Sequence, residues 1–517
     1  MIGKYLNIFN FKKKNRNLFF NKYANSENII LIEIFDHPPS QISYSYFSNV
    51  LSKLNKAKIV SVFPKRVKLK NYLYNLLFPF SPFAIQKSYG STKIVNPKYN
   101  KKISLNIIQK IKTKKDILKI ELNKIHIGDL IYDEYLVKYK KSTVDLKSNH
   151  LRDHFIESFN LFYFWYDYIT KNKVKGLILS HSVYCVGIPG RIANYFEIPV
   201  YNVSATGTYY LNKDNFLKMS NFDYSKKKFL RLNKSTKNKM ILNSKKEIFK
   251  RFKGIKDIKQ LNDRKVSQSI FGSINKNKRI LNDNSKFKIL IATHCFQDAV
   301  HVYGNYLFED FFEWVNYLGV QSNKFKNYEW YLKSHPAIFE RNKETLMYFT
   351  KKFPNLTLLP RNVTHNQLIY EGIGAVFTVY GSVGHEYPLF GIPVVNASNH
   401  GPHDTYKFNF YAKNRKDYLN LIKNLPNLKV NKEKIKKQVY EYFAMRYLTE
   451  YNIYKNYNSN PKKYLDNIAN SSMYNIWLKE FSSIHHKKIL KDYEIFINKK
   501  EFKMFAVNNN RQSKLNL

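Results

Sequence analysis

The sequence predicts an α/β protein built on two parallel sheets. A strand-loop-helix-strand pattern opens near residue 28, the same pattern restarts near residue 286, and a Lys-rich stretch separates the two. Strands that alternate with helical segments form parallel sheets. At 517 residues the chain is also too long for one compact core. We therefore expect two Rossmann-like domains facing a cleft, with a helical connection and C-terminal helices.

The charge of the chain is extreme: 87 Lys+Arg stand against 38 Asp+Glu, a formal net charge of +49. Such a field favours polyanions. The chain is also crowded with Lys, Asn, Ile, Tyr and Phe, the signature of an AT-rich coding bias, and it holds no nucleic-acid recognition motif. We therefore expect no nucleic-acid partner. The two cysteines, Cys185 and Cys295, predict neither a disulfide framework nor a Cys-based zinc site, and they suit a reducing cytoplasm.

Residues 1–27 are predicted to be a basic leader with a frayed terminus; the alternative is that its Phe and Lys residues contact an anionic membrane surface. The leader lacks the continuous apolar core of a signal peptide. The most aromatic predicted helix, Phe155 to Ile169, contains Glu157 and Asp167 and is too short to span a bilayer. The sequence therefore predicts a soluble or peripheral protein.

The N-terminal domain is expected over residues 28–212. Asn28 to Phe35 predicts its first strand, Ser43 to Asn55 a helix and Ala57 to Phe63 the next strand. Ligands bind where the carboxyl ends of parallel strands meet. Asp36, just after the first strand, is therefore a candidate site residue, although an Asp near Pro is also common in plain turns.

A second candidate stretch of this domain runs from His126 to Tyr135. It carries three carboxylates, Asp129, Asp133 and Glu134, beside aromatic residues and a glycine. This composition suits a loop that faces a substrate. Equally, Asp129 could cap a helix whose wet face holds the other two.

A histidine follows another predicted strand of the same domain. Val174 to Ser180 predicts this strand, His181 opens the loop after it, and Gly190 to Phe196 predicts the following helix. His181 thus lies at the edge where ligands bind. A lone histidine there is more often structural, so both interpretations stay open.

Residues 213–285 are predicted to form a Lys-rich helical connection, and residues 286–425 the second domain. Lys286 to Thr293 predicts its first strand, and Tyr303 to Leu318 a helix. Several polar residues at one edge of one sheet indicate a site. Those that follow the predicted strands are His294, Asp298, His335, Glu386, Asn396 and His403. Residues 426–517 are expected to form C-terminal helices and a basic tail.

The stretch around Gly381 has the form of an anion-binding loop. Gly374 to Tyr380 predicts a buried strand, Gly381 to Gly384 a tight loop, and His385 to Phe390 a short helix. Loop N–H groups and a helix N-terminus can cradle a phosphate, and glycines let it approach closely. An ordinary strand-to-helix turn is the alternative.

This architecture suits sugar transfer from a nucleotide donor. The leaving nucleotide phosphate needs positive charge and N–H donors, which His335 and the Gly381/Ser382 loop could supply. The acceptor hydroxyl needs a general base. The candidates for the base are Asp36, Asp129, Asp133, Glu134 and His181.

Four motifs resemble the capsule polysaccharide biosynthesis proteins, a bacterial glycosyltransferase group with the GT-B fold that is related to capsule Kdo transferases. They are Lys333 to Pro336, Leu359 to His365, Thr378 to Pro388 and Gly391 to Ala397. The resemblance is specific over about residues 286–415. It is looser at Ile127 to Asp133 and Leu179 to Ser182 in the N-terminal half, and it does not cover the leader, the connection or the tail.

The resemblance implies that His335-Pro336 and Ser382 meet the donor phosphate and that Glu386 meets the donor ribose or base. Many relatives carry two serines where this chain has Gly381-Ser382, so the donor itself stays open. The family needs no bound metal, and we expect no cofactor. The remaining substrate-binding candidates in these motifs are Thr364, Gly384 and His385.

We thus expect a glycosyltransferase that moves a sugar from a nucleotide donor, such as a CMP-linked Kdo- or sialic-like acid, to a glycan or lipid-linked acceptor. It would be cytoplasmic or peripheral on the inner membrane, near capsule assembly and export proteins. One alternative is a transferase of polyol phosphate from CDP-glycerol-type donors. Another is a non-catalytic factor for polysaccharide export or assembly.

Overall fold

The computed structural model describes most of the chain. The described residues are 2–19, 22–99, 106–204, 207–216, 222–255, 270–304, 306–336, 341–398, 401, 403–449, 451, 453 and 471–506. The predicted basic tail after residue 506 lies outside them.

The described chain contains two six-stranded sheets and a two-stranded ribbon. The strands are β1 (Ile29–Glu33), β2 (Lys58–Val62), β3 (Ser91–Val95), β4 (Glu121–Leu122), β5 (Ile125–His126), β6 (Val174–Leu179), β7 (Val200–Val203), β8 (Thr208–Leu211), β9 (Phe287–Ala292), β10 (Tyr328–Lys333), β11 (Leu356–Leu358), β12 (Ile373–Thr378), β13 (Val394–Asn396) and β14 (Phe410–Tyr411).

Helices accompany both sheets. They are α1 (Ile2–Leu18), α2 (Pro38–Asn55), α3 (Leu69–Leu77), α4 (Pro82–Lys87), α5 (Asn106–Gln109), α6 (Lys114–Leu118), α7 (Gly128–Lys138), α8 (Asn149–Lys171), α9 (Ile188–Tyr195), α10 (Phe222–Leu230), α11 (Lys234–Phe252), α12 (Phe311–Lys324), α13 (Asn342–Lys352), α14 (His365–Tyr370), α15 (Val383–Glu386), α16 (Arg415–Lys423), α17 (Lys432–Phe443), α18 (Ser472–Glu480) and α19 (Ser483–Lys499).

The chain divides into two compact units, and both are Rossmann-like α/β folds. Unit 1 comprises residues 1–131, 146–219 and 450–517, and unit 2 comprises residues 132–145 and 220–449. The sheet of unit 1 has the order β3-β2-β1-β6-β7-β8, and its last strand is antiparallel. The strand order reverses between β1 and β6. This reversal makes a topological switch point, where open α/β sheets bind ligands.

Unit 2 repeats this topology. Its sheet has the order β11-β10-β9-β12-β13-β14, with every pair parallel, so the switch point lies between β9 and β12. The central strands are apolar and buried almost throughout, as parallel strands covered on both faces require. The predicted fold class of two Rossmann-like sheets is confirmed.

The predicted leader is an ordered part of unit 1. Residues 2–18 form α1, and Ile8 and Phe11 are buried in the same apolar cluster as Trp477 and Phe496 from the end of the chain. Phe11 stacks on Tyr474 at 4.4 Å between ring centroids. The frayed terminus was expected because α1 has no clear amphipathic pattern; its burial depends on aromatic residues almost 470 positions later.

The predicted connection packs as part of unit 2. Its helix α11 contributes Ile248, which joins Val439 and Phe443 of α17 in one buried cluster. The stretch therefore adds to the core of unit 2 as well as linking the halves. The part of the connection from 256 to 269 lies outside the described residues.

Two helix starts differ from the prediction. The helix expected at Tyr303 to Leu318 is α12, which begins at Phe311 because the Asp310 side chain caps it by accepting the Glu313 N–H at 2.8 Å. Helix α2 begins at Pro38, five residues before the predicted start, because proline fits the first turn of a helix.

Candidate functional site

The loop after β12 is held on both sides of Val379. The Val379 N–H donates to Nε2 of His294 at 3.3 Å, and the Val379 carbonyl accepts from Nδ2 of Asn396 at 2.9 Å. Asn409 in turn donates to Oδ1 of Asn396 at 3.0 Å. Side chains that follow β9 and end β13 thus fix the main chain at the exit of β12, between them.

His294 is a buried, neutral side chain. Its ring stacks on Phe311 with 4.6 Å between centroids, and burial lowers its pKa to about 3, with a further contribution from the charge of His335. Because Nε2 accepts the N–H groups of Val379 and Tyr380, the ring proton belongs on Nδ1. His294 therefore organises the loop.

His335 follows β10, and the thiol of Cys295 lies at 3.1 Å from its Nδ1. When the thiol donates to Nδ1, the neutral ring keeps its proton on Nε2, which can then donate to an anion. The Pro336 carbonyl accepts from the Arg361 guanidinium at 2.8 Å. The His-Pro pair is thus tied to the exits of two neighbouring strands.

Ser382 and Glu386 lie one helical turn apart at α15. The Ser382 hydroxyl donates to Oε2 of Glu386 at 3.3 Å, and Nε of Arg251 donates to Oε1 at 2.5 Å. Glu386 is buried, so its charge needs this guanidinium. The carboxylate is therefore part of the frame behind the loop.

His365 and Lys333, two further motif residues of unit 2, are also buried. Nδ1 of His365 is 2.6 Å from the Tyr387 hydroxyl, and burial lowers the pKa of His365, helped by the charges of Lys333 and Arg251. Lys333 donates to the Val363 carbonyl at 2.6 Å, and burial lowers its pKa to about 8. The motif lysine thus supports the exit of β11.

Gly384 is packed directly against His403. A Cβ at Gly384 would lie 2.6 Å from two atoms of the His403 ring, so only glycine fits here. His403 and His385 are both buried, and their ring centroids are 5.6 Å apart. Burial lowers the pKa of His403 to about 3 and that of His385 well below its usual value. Both are neutral packing residues.

The other two candidates in unit 2 have local roles in the structure. The Thr364 side chain caps α14 by accepting the Gln367 N–H at 3.1 Å and donates to the Ser273 carbonyl at 3.3 Å. Asp298 lies in the turn after β9, where its N–H donates to the Cys295 carbonyl at 3.1 Å.

Asp129 and Asp133 are both committed to buried ion pairs. In unit 1, Asp129 accepts hydrogen bonds from both Nη atoms of Arg191, and the bond from Nη1 to Oδ1 is 2.8 Å long. In unit 2, Oδ1 of Asp133 lies 2.6 Å from Nδ1 of His301, whose Nε2 faces the Glu309 carbonyl at 3.1 Å. Each of these carboxylates therefore has a hydrogen-bonding partner within its own unit.

Asp36 and His181 lie at the switch point of unit 1, after β1 and β6. Asp36 is exposed, and so is His181, whose Nδ1 lies 2.7 Å from the hydroxyl of Ser180. Glu33, the last residue of β1, is buried nearby and accepts the Ser180 N–H at 2.5 Å. Of the candidate bases, the structure brings His181 into a network with a buried acid. Glu134 is 9% exposed on α7.

Three contributors were missed from the sequence: Glu33, Arg251 and Cys295. Glu33 sits inside an apolar run, where it reads as part of a strand, and Arg251 is one basic residue among many. Cys295 directly follows His294 after a predicted strand. Ligands bind where the carboxyl ends of parallel strands meet, so its position could have marked Cys295 as a candidate too.

No helix in the described part of the chain is long and apolar enough to cross a bilayer. Within the same residues, no three or more His, Cys, Asp or Glu side chains are grouped as metal ligands would be.

No family model and no curated protein matches this chain. Solved structures do resemble it, at low sequence identity. One is a UDP-GlcNAc 2-epimerase from Neisseria meningitidis bound to UDP-GlcNAc, with 11% identity over 81% of this chain and 98% of that one, at a TM-score of 0.24. Another is a calicheamicin glycosyltransferase, with 10% identity over 81% and 94% and a TM-score of 0.24. A wall teichoic acid polymerase has 11% identity over 96% and 99%, with a TM-score of 0.18.

Proposed function

We propose that this protein is a glycosyltransferase of surface polysaccharide synthesis, and that its nucleotide-sugar donor binds at the carboxyl edge of the unit 2 sheet. The supporting observation is the loop after β12, whose Val379 is fixed from one side by His294 and from the other by Asn396. A loop whose main chain is held in advance at a topological switch point can meet a phosphate without a large rearrangement.

The proposed roles follow from this placement. His335, with Nδ1 beside the Cys295 thiol, offers Nε2–H to the donor phosphate, and the Ser382 hydroxyl turns from Glu386 to the same phosphate when the donor binds. Unit 1 binds the acceptor and supplies the base, for which His181 is our choice because it is exposed at the switch point. The motifs shared with the capsule family favour a cytidine nucleotide and a glycan or lipid-linked acceptor. The net charge of +49 would favour anionic lipid and acidic glycan.

Thermal unfolding with CMP, CDP and UDP tests the donor site. A nucleotide at 100 times its Kd should add about 2.7 kcal/mol of stability. His335→Ala and Ser382→Ala should weaken this stabilisation, whereas His150→Ala, which changes an exposed histidine of unit 1, should leave it intact. Stabilisation by none of the three nucleotides would overturn the proposal and favour a non-catalytic assembly factor.

Turnover tests the reaction itself. Release of nucleotide should accompany transfer of the sugar alone; a product that retains polyol phosphate would identify the CDP-polyol reaction instead. His335→Ala should lower kcat by the equivalent of about 2.7–4 kcal/mol of transition-state stabilisation. Near-normal turnover in this variant would contradict its role at the phosphate.

A further inference from the structure

The switch point of unit 1 contains a buried acid joined to an exposed histidine. Glu33 ends β1 and is 5% exposed, whereas His181 follows β6 and is exposed. Ser180 lies between them. Its N–H donates to Oε2 of Glu33 at 2.5 Å, its side chain lies within hydrogen-bonding reach of the same carboxylate, and its Oγ lies 2.7 Å from Nδ1 of His181.

The direction of these bonds is set by the acid. Above pH 7, where Glu33 with its pKa of about 7 is ionised, the carboxylate only accepts hydrogen bonds, so the Ser180 hydroxyl must donate to it. The Ser180 oxygen then accepts the proton on Nδ1 of His181. A neutral imidazole with its proton on Nδ1 has its lone pair on Nε2, which is the form that a general base requires.

We propose that Glu33 is a positioning residue of the transfer reaction: acting through the Ser180 hydroxyl, it holds His181 in the tautomer that removes the proton from the acceptor hydroxyl. This inference rests on the proposed function and names the base and its support. It is separate from the donor site in unit 2.

In the proposed transfer, one bond to the anomeric carbon forms as another breaks. The acceptor oxygen forms a bond to the anomeric carbon of the sugar as its proton moves to Nε2 of His181. The bond from the anomeric carbon to the phosphate oxygen breaks, and its electron pair leaves with the nucleotide. The imidazolium that forms is stabilised by Ser180 and the Glu33 carboxylate, which lie on its other side.

The buried position of Glu33 disfavours the ionised form of its carboxyl group. Burial raises its pKa to about 7, while Ser180 and the charge of Lys65 oppose the shift. Tyr44 of α2 also lies within the electrostatic reach of Glu33, and its pKa is raised mainly by burial. Gln86 holds the main chain in place by donating to the Glu33 carbonyl at 2.7 Å. An acid kept at such a position is typical of functional sites.

Nitrogen-15 NMR of the full-length protein, with labelled histidine, tests the tautomer without any substrate. Above pH 7 the His181 signals should show Nδ1 protonated. Glu33→Gln can donate to the Ser180 oxygen, so the hydroxyl turns towards Nδ1 and the proton should move to Nε2. A tautomer unchanged by Glu33→Gln would overturn the relay. This result is independent of whether the donor has been identified correctly.

Kinetics test its use in the reaction. Glu33→Gln and Ser180→Ala should each lower kcat by about 10²–10⁴-fold, with the KM for the donor unchanged. Ser180→Thr, which keeps a hydroxyl, should recover most of the loss. Ser158→Ala is a matched control, since among the described residues that buried serine bonds a carbonyl of its own helix and the sulfur of Cys185.

The kcat of a double variant shows whether Glu33 and His181 act together or independently. Adding Glu33→Gln to His181→Ala should cause no further loss of kcat, because the acid acts only through the histidine. Multiplying losses would overturn the proposal, and so would a Glu33→Gln enzyme with normal kcat. Absence of transfer with every donor, combined with the expected tautomer shift, would reject the proposed function and retain the relay.

Discussion

Nε of Arg251 lies 2.5 Å from Oε1 of Glu386, and the two side chains are 8% and 2% exposed. They are 135 positions apart in the sequence. Arg251 lies in the last turn of α11, in the stretch predicted to be a connection, and Glu386 ends α15, directly after the predicted phosphate loop. The loop is therefore supported by a residue that no motif indicates.

Arg251→Met should destabilise the protein by about 3–5 kcal/mol, because it leaves the Glu386 carboxylate buried without its charge partner. Lys250→Met is the matched control: that neighbouring cation is exposed and pairs with exposed Glu247, so its loss should cost about 1 kcal/mol or less. Unfolding in urea measures both. Equal midpoints for the two variants would show that the buried pair contributes little.

Glu33→Gln should raise the stability at neutral pH. The pKa of Glu33 is raised from its ordinary 4.5 to about 7, so the folded protein holds this proton more tightly than the unfolded chain does. Stability from this group is present below pH 4.5 and is lost as the pH rises to about 7. The loss amounts to about 3 kcal/mol.

The variant should remove this slope between pH 4.5 and 7 and unfold at higher denaturant concentration at pH 7.5. Glu121→Gln, at an exposed position of β4, should leave the pH profile unchanged. A Glu33→Gln protein that is less stable than the parent at pH 7.5 would indicate a structural role for the acid.

Gly384→Ala should destabilise unit 2 by about 1–3 kcal/mol, because the new methyl group would lie 2.6 Å from the buried His403 ring. Nucleotide binding should weaken in parallel, since the loop must shift. Gly3→Ala in α1 meets nothing within 4 Å and should be neutral or slightly stabilising. Denaturation and nucleotide titration of both variants check this contrast.

Asp129→Asn should behave as a structural variant. It leaves the buried Arg191 guanidinium without its carboxylate, so we expect a loss of about 3–5 kcal/mol in stability. Turnover per folded molecule should stay within a few-fold of the parent. If the variant instead keeps its stability and loses turnover, Asp129 is the base after all.

The fold could be predicted because its signals are local. β1 and β9 are each an apolar run that is followed by a loop, a helix and another strand. This alternation of strands and helices along the chain predicts both parallel sheets. The polar residues at the carboxyl edge of the second sheet could be predicted for the same reason, because His294, His335 and Asn396 lie at or just after the ends of strands.

The pairings inside the site could not be predicted, since they join residues distant in sequence. Asp133 and His301 are 168 positions apart, and the three carboxylates from Asp129 onwards look equivalent until their partners are known. Glu33 was hidden by its neighbours: within a run of isoleucine and leucine it fits a strand, and only burial beside Ser180 reveals a charge at a switch point.

The two ends of the described chain meet in the core of unit 1, where Phe11 of α1 packs on Tyr474 and Trp477 of α18. During synthesis, every residue of unit 2 leaves the ribosome before α18 does. At about 5–20 residues per second, α1 waits tens of seconds or more for its partner. Unit 2 can thus fold first, while the aromatic face of α1 stays uncovered and open to chaperones until α18 has been synthesised.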